Sequence, residues 1–295
     1  MVARPTNSVP PNIKSLMGEL CPLYVLYGTA ARSERNRSAV VHRNRSTAER
    51  PARNRSSFTT VTDSFDLVRD LPAALRDRTA AWAYIRGFAA TWRTPLAPGD
   101  GIPDADLTAV EAALGVRLPA ALREAYALFG RRADLHSNMH LLLSPDEFYV
   151  DDRKEALVFR EENQGAASWG VLLGDLDKAD PPVRMRTDLG DKEAERWEGW
   201  LAAFSTSCIE IVLSEALQAD EPVCDHGDFE DFEELDRRFT RLPFPSYPEG
   251  EEGEAFYTAP GLLICDAGGW LSVRAGDEET LDRFREDFPA DWLTS

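Results

Sequence analysis

Seven carboxylates fall within twelve residues between Asp225 and Asp236, in the run DHGDFEDFEELD, with Phe229 and Phe232 set among them. Carboxylates at this density attract a basic partner over a distance, and aromatic side chains between them can anchor an interface that charge has steered. Asp225, Asp228, Phe229, Asp231, Phe232, Glu233 and Glu234 are therefore the candidate partner-binding residues. The competing reading is a solvated acidic loop that keeps the protein soluble, as most charge runs do.

Other residues invite a catalytic reading and give it less support. His136 and His140 sit four apart near Asp134 and Asn138, and in an extended chain residues 136, 138 and 140 share a face. A zinc site needs a fuller ligand set, and there is no HExxH, so these are read as loop and strand-entry histidines. Asp225 and His226 are an acid beside a base, but neighbours in sequence rarely face one another and no nucleophile is marked nearby. Ser205, Ser207 and Ser214 lie outside any G-x-S-x-G elbow. No phosphate-binding glycine motif occurs, and Glu161 and Glu162 precede the stretch Gly165–Gly170, where they would repel an anion. Trp169 reads as core. We expect no catalytic residue, no metal and no cofactor.

Charge narrows the partners. The whole chain carries 33 basic and 51 acidic residues, a formal net charge of −18. Residues 1–60 hold ten of the basic residues and three of the acidic ones, which leaves 23 and 48 for residues 61–295, a net of −25. Such a body repels nucleic acid and suits a basic protein partner. The first sixty residues repeat the tetrapeptide RNRS at 35–38, 43–46 and 53–56 and have no periodic apolar face, so they are expected to be a disordered basic leader. A basic arm for nucleic acid or acidic partners is the functional reading of this segment, and a start of synthesis near Val61 is a further one. Cys21, Cys208, Cys224 and Cys265 are widely spaced, which fits reduced thiols in a cytoplasmic protein. No apolar run reaches the roughly 18 residues of a membrane span.

The elements that must position these residues follow from periodicity. Leu67, Val68, Leu71, Leu75, Trp82, Ile85, Phe88 and Trp92 recur at mostly helical spacings, with Pro72 dividing the region as a first turn or a break. This gives an N-terminal helical extension over residues 61–101. Asp104 is the expected N-cap of the next helix and Gly115 its stop; Pro119 opens another that ends at Gly130. Met139–Leu143 is a candidate strand, and Ser144 to Glu147 a turn or short helix start. The stretch LVFREENQGAASWGVLLGDLDKADPPV, residues 157–183, predicts two strands around a polar loop, then an extended double proline. Val183–Arg186 extends the sheet. Glu193 to Gln218 predicts one long helix with Trp197, Leu201, Phe204, Cys208, Ile211 and Leu213 on its apolar stripe. Phe256 to Cys265 and Trp270 to Arg274 flank Asp266-Ala267-Gly268-Gly269, a hairpin signal, and Asp277 caps a final helix. Helices first, strands later and no βαβ rhythm predict an α+β fold, a mostly antiparallel sheet flanked by N-terminal helices and one long helix.

The segments LGVRLPAALREAYALFG, LVFREENQGAASWGV and DLDKADPPV, followed by a Trp-led segment running to IVLSEAL, resemble in order and spacing the SUKH superfamily, the Smi/Knr-type domain. The resemblance runs from about Ile102 to Trp292, within a domain over residues 102–295. It implies an α+β domain of this same class. Many bacterial members are immunity proteins that bind and neutralise toxins; others, fungal relatives among them, are regulatory scaffolds. It carries over no catalytic residue, and the basic leader departs from it. The sequence thus leads us to expect a non-enzymatic cytoplasmic immunity protein that contacts a basic toxin domain of the nuclease type, with an intracellular regulatory or scaffold module as the alternative.

Overall fold

A computed structural model describes residues 65–229, 232–248, 253–288 and 290–294. The expected leader at 1–60 lies outside them. Residues from Phe65 onward form one compact unit. The architecture is α+β, with eight helices among the described residues and antiparallel strand pairs throughout. The strands divide between two sheets, a division that alternation within each strand cannot reveal.

Helices α1 (Leu67–Ala74) and α2 (Arg78–Trp92) open the unit. Asp66 caps α1 by accepting from the amides of Val68 at 3.0 Å and Arg69 at 2.7 Å, and Asp77 caps α2 through the amide of Ala80 at 2.8 Å. Pro72 lies inside α1; the chain divides after it, between Ala74 and the Asp77 cap. Helix α3 (Asp104–Leu114) takes Pro103 as its N-cap, not Asp104, whose carboxylate pairs with Arg123 on α4 (Ala120–Phe129). Gly115 stops α3 at φ +67°, the left-handed conformation that glycine adopts without a steric penalty. A single turn, α5 (Ala133–His136), leads into the strands.

The first sheet runs β1 (Leu141–Leu142), β3 (Ala156–Glu161), β4 (Ala167–Leu172), β5 (Val183–Thr187), β6 (Glu198–Leu201), with β2 (Tyr149–Val150) also on β3. The β3–β4 hairpin is the pair the sequence predicts. Its loop is held by Glu162, which turns inward and accepts from the amides of Gln164 at 2.7 Å and Ala166 at 3.0 Å. A register shift between Val158 and Arg160 interrupts the period-two alternation, so that both Phe159 and Arg160 reach the same helix, α6 (Phe204–Leu217).

The predicted helix from Glu193 is shorter than expected. Residues 198–201 are strand β6, and α6 begins only at Phe204. Trp197 and Leu201 satisfy a helical spacing, but pairing with β5 takes that segment into the sheet. Asp180 supplies the α6 cap from a distance: its carboxylate accepts from the Ser205 amide at 2.9 Å and hydroxyl at 2.6 Å. Every residue of α6 except Ser214 is buried, as a helix that is apolar on nearly all sides must be. It touches α2, α4 and α5, and also β6, β10 (Leu262–Ala267) and β11 (Trp270–Ala275).

The second sheet has the order β12 (Asp291–Trp292), β7 (Cys224–Asp228), β11, β10, β9 (Ala255–Ala259), β8 (Thr240–Arg241). Alternation sorts its two faces. Leu271 and Val273, with Ile264 and Tyr257, build an apolar core under α7 (Phe232–Arg238) and α8 (Glu278–Asp287). Ser272 and Arg274 point the other way, to the C-terminal end of α6, where they meet Gln218 and the Ala216 carbonyl. Gly268 and Gly269 turn the β10–β11 hairpin at φ +70° and +104°. No helix of the described residues is long and apolar enough to cross a membrane.

Candidate protein-binding face

The acidic run is not a single loop. Its first four residues belong to strand β7, held between β11 and β12, and its last part is helix α7. That assignment splits the candidate residues by direction. Asp225 is 1% exposed and fully engaged: it meets Arg285 Nε at 3.0 Å, the Thr294 hydroxyl at 2.6 Å and the His226 amide at 2.7 Å. Phe229 is core, its ring 4.7 Å from that of Phe288. Both are corrections to the sequence-based site. A strand buries alternate residues, and an aromatic at the strand end contributes more by leaving water than by facing it. Asp231 and the side chain of Phe232 lie outside the described residues.

Asp228 and Glu233 remain exposed, and Glu234 is half-buried in ion pairs with Arg237 at 2.7 Å and Arg238 at 3.4 Å. The structure adds residues that the run does not contain. Helix α8 reads EETLDRFRED and buries only Leu281 and Phe284, so Glu278, Glu279, Asp282, Glu286 and Asp287 all face solvent. Arg238 donates to the Asp287 carbonyl at 2.7 Å, which ties α7 to the end of α8. The two helices therefore present their carboxylates from one apolar base. The signal for α8 was present in its sequence, where only two apolar residues interrupt a charged segment, but its place beside α7 is set by the sheet.

The histidines are structural. Burial pushes His136 down to about 4 and His140 down to about 3, so both rings are neutral near pH 7. The His140 ring lies 5.4 Å from Trp169, and His136 Nδ1 meets the Ser137 hydroxyl at 2.8 Å. Among the described residues no group of three or more His, Cys, Asp or Glu side chains could hold a metal ion. Asp225 and His226 point to opposite faces of β7, the histidine to Ser272 at 3.0 Å and over Trp270. Ser205 is occupied by Asp180, and Ser214 donates to Glu210 at 3.1 Å.

The strongest ionic arrangement is one the sequence did not announce. Arg160 on β3, 1% exposed, donates to Glu210 and Glu215 of α6 at 3.0 Å each and lies 4.7 Å over the Trp169 ring. Glu215 also accepts from the amides of Met139 at 2.7 Å and His140 at 3.1 Å. Burial raises the Glu210 carboxyl to about 7 against the pull of Arg160. Ion pairs of this kind hold β3 and α6 in one register. No family model, curated protein or solved structure matches the chain.

Proposed function

We propose that the chain is a non-enzymatic binding protein of the SUKH kind, acting in the cytoplasm as an immunity protein that neutralises a toxin domain by direct contact. The observation that carries the reading is the pair of acidic helices α7 and α8 on one apolar base, in a body whose residues 61–295 carry a net charge of −25. A nuclease-type toxin must present a positive surface to hold phosphates, and an acidic inhibitor competes for that surface. The family resemblance in the sequence points the same way. Charge of this kind raises the association rate and loses its effect as salt shortens the Debye length, to about 8 Å near physiological ionic strength.

Co-expression with basic nuclease-type toxins in a sensitive bacterium tests the reading: growth is rescued by the matching toxin's partner and by no neutral control. With the partner in hand, stopped-flow association at several salt concentrations tests the face. Neutralising Asp228, Glu233, Asp282 and Glu286 to their amides slows association and flattens its salt dependence. Because all four are exposed, stability moves by no more than about 0.5 kcal/mol. Rescue without salt dependence would leave the immunity role and remove the acidic face from it. Binding to an endogenous protein without rescue would favour the regulatory or scaffold module.

A further inference from the structure

A cleft of about 650 Å³ opens beside the end of α2, where Trp92, Arg93 and the loop to Asp100 meet Arg132, Asp134, Glu221 and Arg274. Its size is in the range of small-molecule sites, about 300–1,000 Å³. Its charges form a continuous alternating chain. Arg274 pairs with Glu221 at 2.8 Å, Glu221 with Arg93 at 2.6 Å, Arg93 with Asp134 at 3.7 Å, Asp134 with Arg132 at 2.7 Å, and Arg132 with Asp100 at 3.0 Å. The long link, at Arg93 and Asp134, is in the middle.

The two signs are not at the same depth. The Arg93 and Arg274 side chains are 6% and 7% exposed, whereas those of Glu221 and Asp134 are both 37% exposed. Guanidinium groups thus make the floor and carboxylates the mouth. Arg274 Nε is buried and has no hydrogen-bond partner in the protein. Arginines also fix the wall: Arg274 donates to the Trp92 carbonyl at 3.1 Å and Arg132 to that of Thr94 at 3.0 Å. The Trp92 ring, stacked on Phe88, is half-buried and gives the cleft an apolar side.

We propose that this cleft binds a small zwitterion of the α-amino-acid type, its carboxylate on the arginine floor and its ammonium at the acidic mouth. Three guanidiniums against three carboxylates leave the lining formally neutral. A ligand with only negative charge passes Asp134 and Glu221 on entry and meets repulsion there; one with only positive charge stops at the mouth and leaves the floor unused. A ligand with both, in that order, complements the site at both depths, and its side chain lies along Trp92. The bidentate geometry of guanidinium suits a carboxylate in particular. This site is separate from the acidic face of α7 and α8, and its test does not depend on the immunity reading.

The experiment titrates the full chain with each common L-amino acid up to about 10 mM, a range that captures affinities near 1 mM, and follows the Trp92 indole resonance, assigned from Trp92→Phe. At least one amino acid gives a saturable shift. Its decarboxylated amine and its deaminated acid each bind at least about tenfold more weakly. Arg93→Gln removes the binding while the far-ultraviolet circular dichroism stays that of the parent. If Arg93→Gln fails to fold, Asp134→Asn is the second variant: it removes one of the two carboxylates at the mouth while Arg132 keeps its Asp100 partner, so the fold persists and the affinity falls. No saturable shift with any amino acid overturns the proposal. So does equal binding of a one-charge analogue, or unchanged binding in a folded variant.

Discussion

The two sheets share helix α6 and treat charge in opposite ways. The first carries it inside: Arg160, Glu210 and Glu215 sit in the contact between β3 and α6. The second keeps the face under α7 and α8 largely apolar, with the buried Asp225–Arg285 pair as an exception, and puts the carboxylates of those two helices outside. Composition follows the same division. Residues 61–218 hold 17 basic and 27 acidic residues, a net of −10, while the 77 residues from 219 to 295 hold 6 and 21, a net of −15. The longer first part uses ionic groups chiefly to specify one packing; the shorter second part uses them chiefly to project a field. Buried charge fixes geometry because an unpaired partner is costly, whereas exposed charge tolerates exchange and is free to serve recognition.

The largest test of this contrast is Arg160→Met. It leaves two carboxylates of α6 without their cation in a buried place, and stability falls by about 3–5 kcal/mol, measured by urea unfolding. A loss under about 1 kcal/mol would show that the cluster is solvated and the contrast false.

Phe284→Ala asks whether the second sheet stands alone. The ring packs between those of Phe288 and Trp292, and its removal costs about 3 kcal/mol. Because α6 belongs to both sheets, indole proton resonances of Trp169 and Trp200 in the first sheet, assigned by single Trp→Phe replacement, disappear at the same lower midpoint as the circular dichroism. Two separated transitions would mean that the sheets unfold independently.

The histidines sharpen the description of the first sheet through pH. Their folded values, about 4 and about 3, lie below the ordinary 6.5, so the unfolded chain binds more protons in between. The neutral rings contribute stability that is complete above pH 6.5 and lost as pH falls toward 4 and below. Glu210 acts in the opposite sense. Its raised value, about 7, means a cost present above pH 7 and relieved as pH falls to 4.5. Replacing both histidines by phenylalanine removes the first effect, so the loss of stability between pH 6.5 and 5 shrinks by about 2 kcal/mol per ring. An unchanged pH profile would show that both rings are open to solvent.

The smallest effect belongs to the second sheet. Asp277→Ala removes the acceptor for the Thr280 amide, 2.8 Å away, and costs about 1 kcal/mol in urea unfolding. Association with a basic partner persists, since the carboxylates of α8 remain.

What the sequence revealed was what neighbouring residues settle. The β3–β4 and β10–β11 hairpins, the Gly115 stop and the Asp277 cap each depend on a few adjacent positions, and all are present. What it concealed depends on distant partners. The α6 cap comes from Asp180, 25 positions before Ser205. Strand β7 reads CDHGD, poor in β-forming side chains, and is a strand because β11 and β12 pair with it. The candidate site suffered for the same reason: Asp225 and Phe229 looked like surface until β7 turned them inward, while the carboxylates of α8 were brought to the face only by the fold. The Arg160 cluster joins residues 50 and 55 positions apart, and a lone arginine in a strand announces no such partner.

Helix α6 has a consequence for synthesis. When the ribosome has made Leu217, the first sheet and the N-terminal helices are complete, yet the helix side that belongs against β10 and β11 has nothing to cover it. The strands that close it are complete only at Ala275, which at ordinary translation rates is a delay on the order of several seconds. For that interval the nascent chain exposes one side of a fourteen-residue helix whose isoleucine, valine and leucine side chains are all buried in the finished fold. The stretch is a natural target for a chaperone that binds extended apolar segments, and a chain cut short before β10 would be retained by it or aggregate.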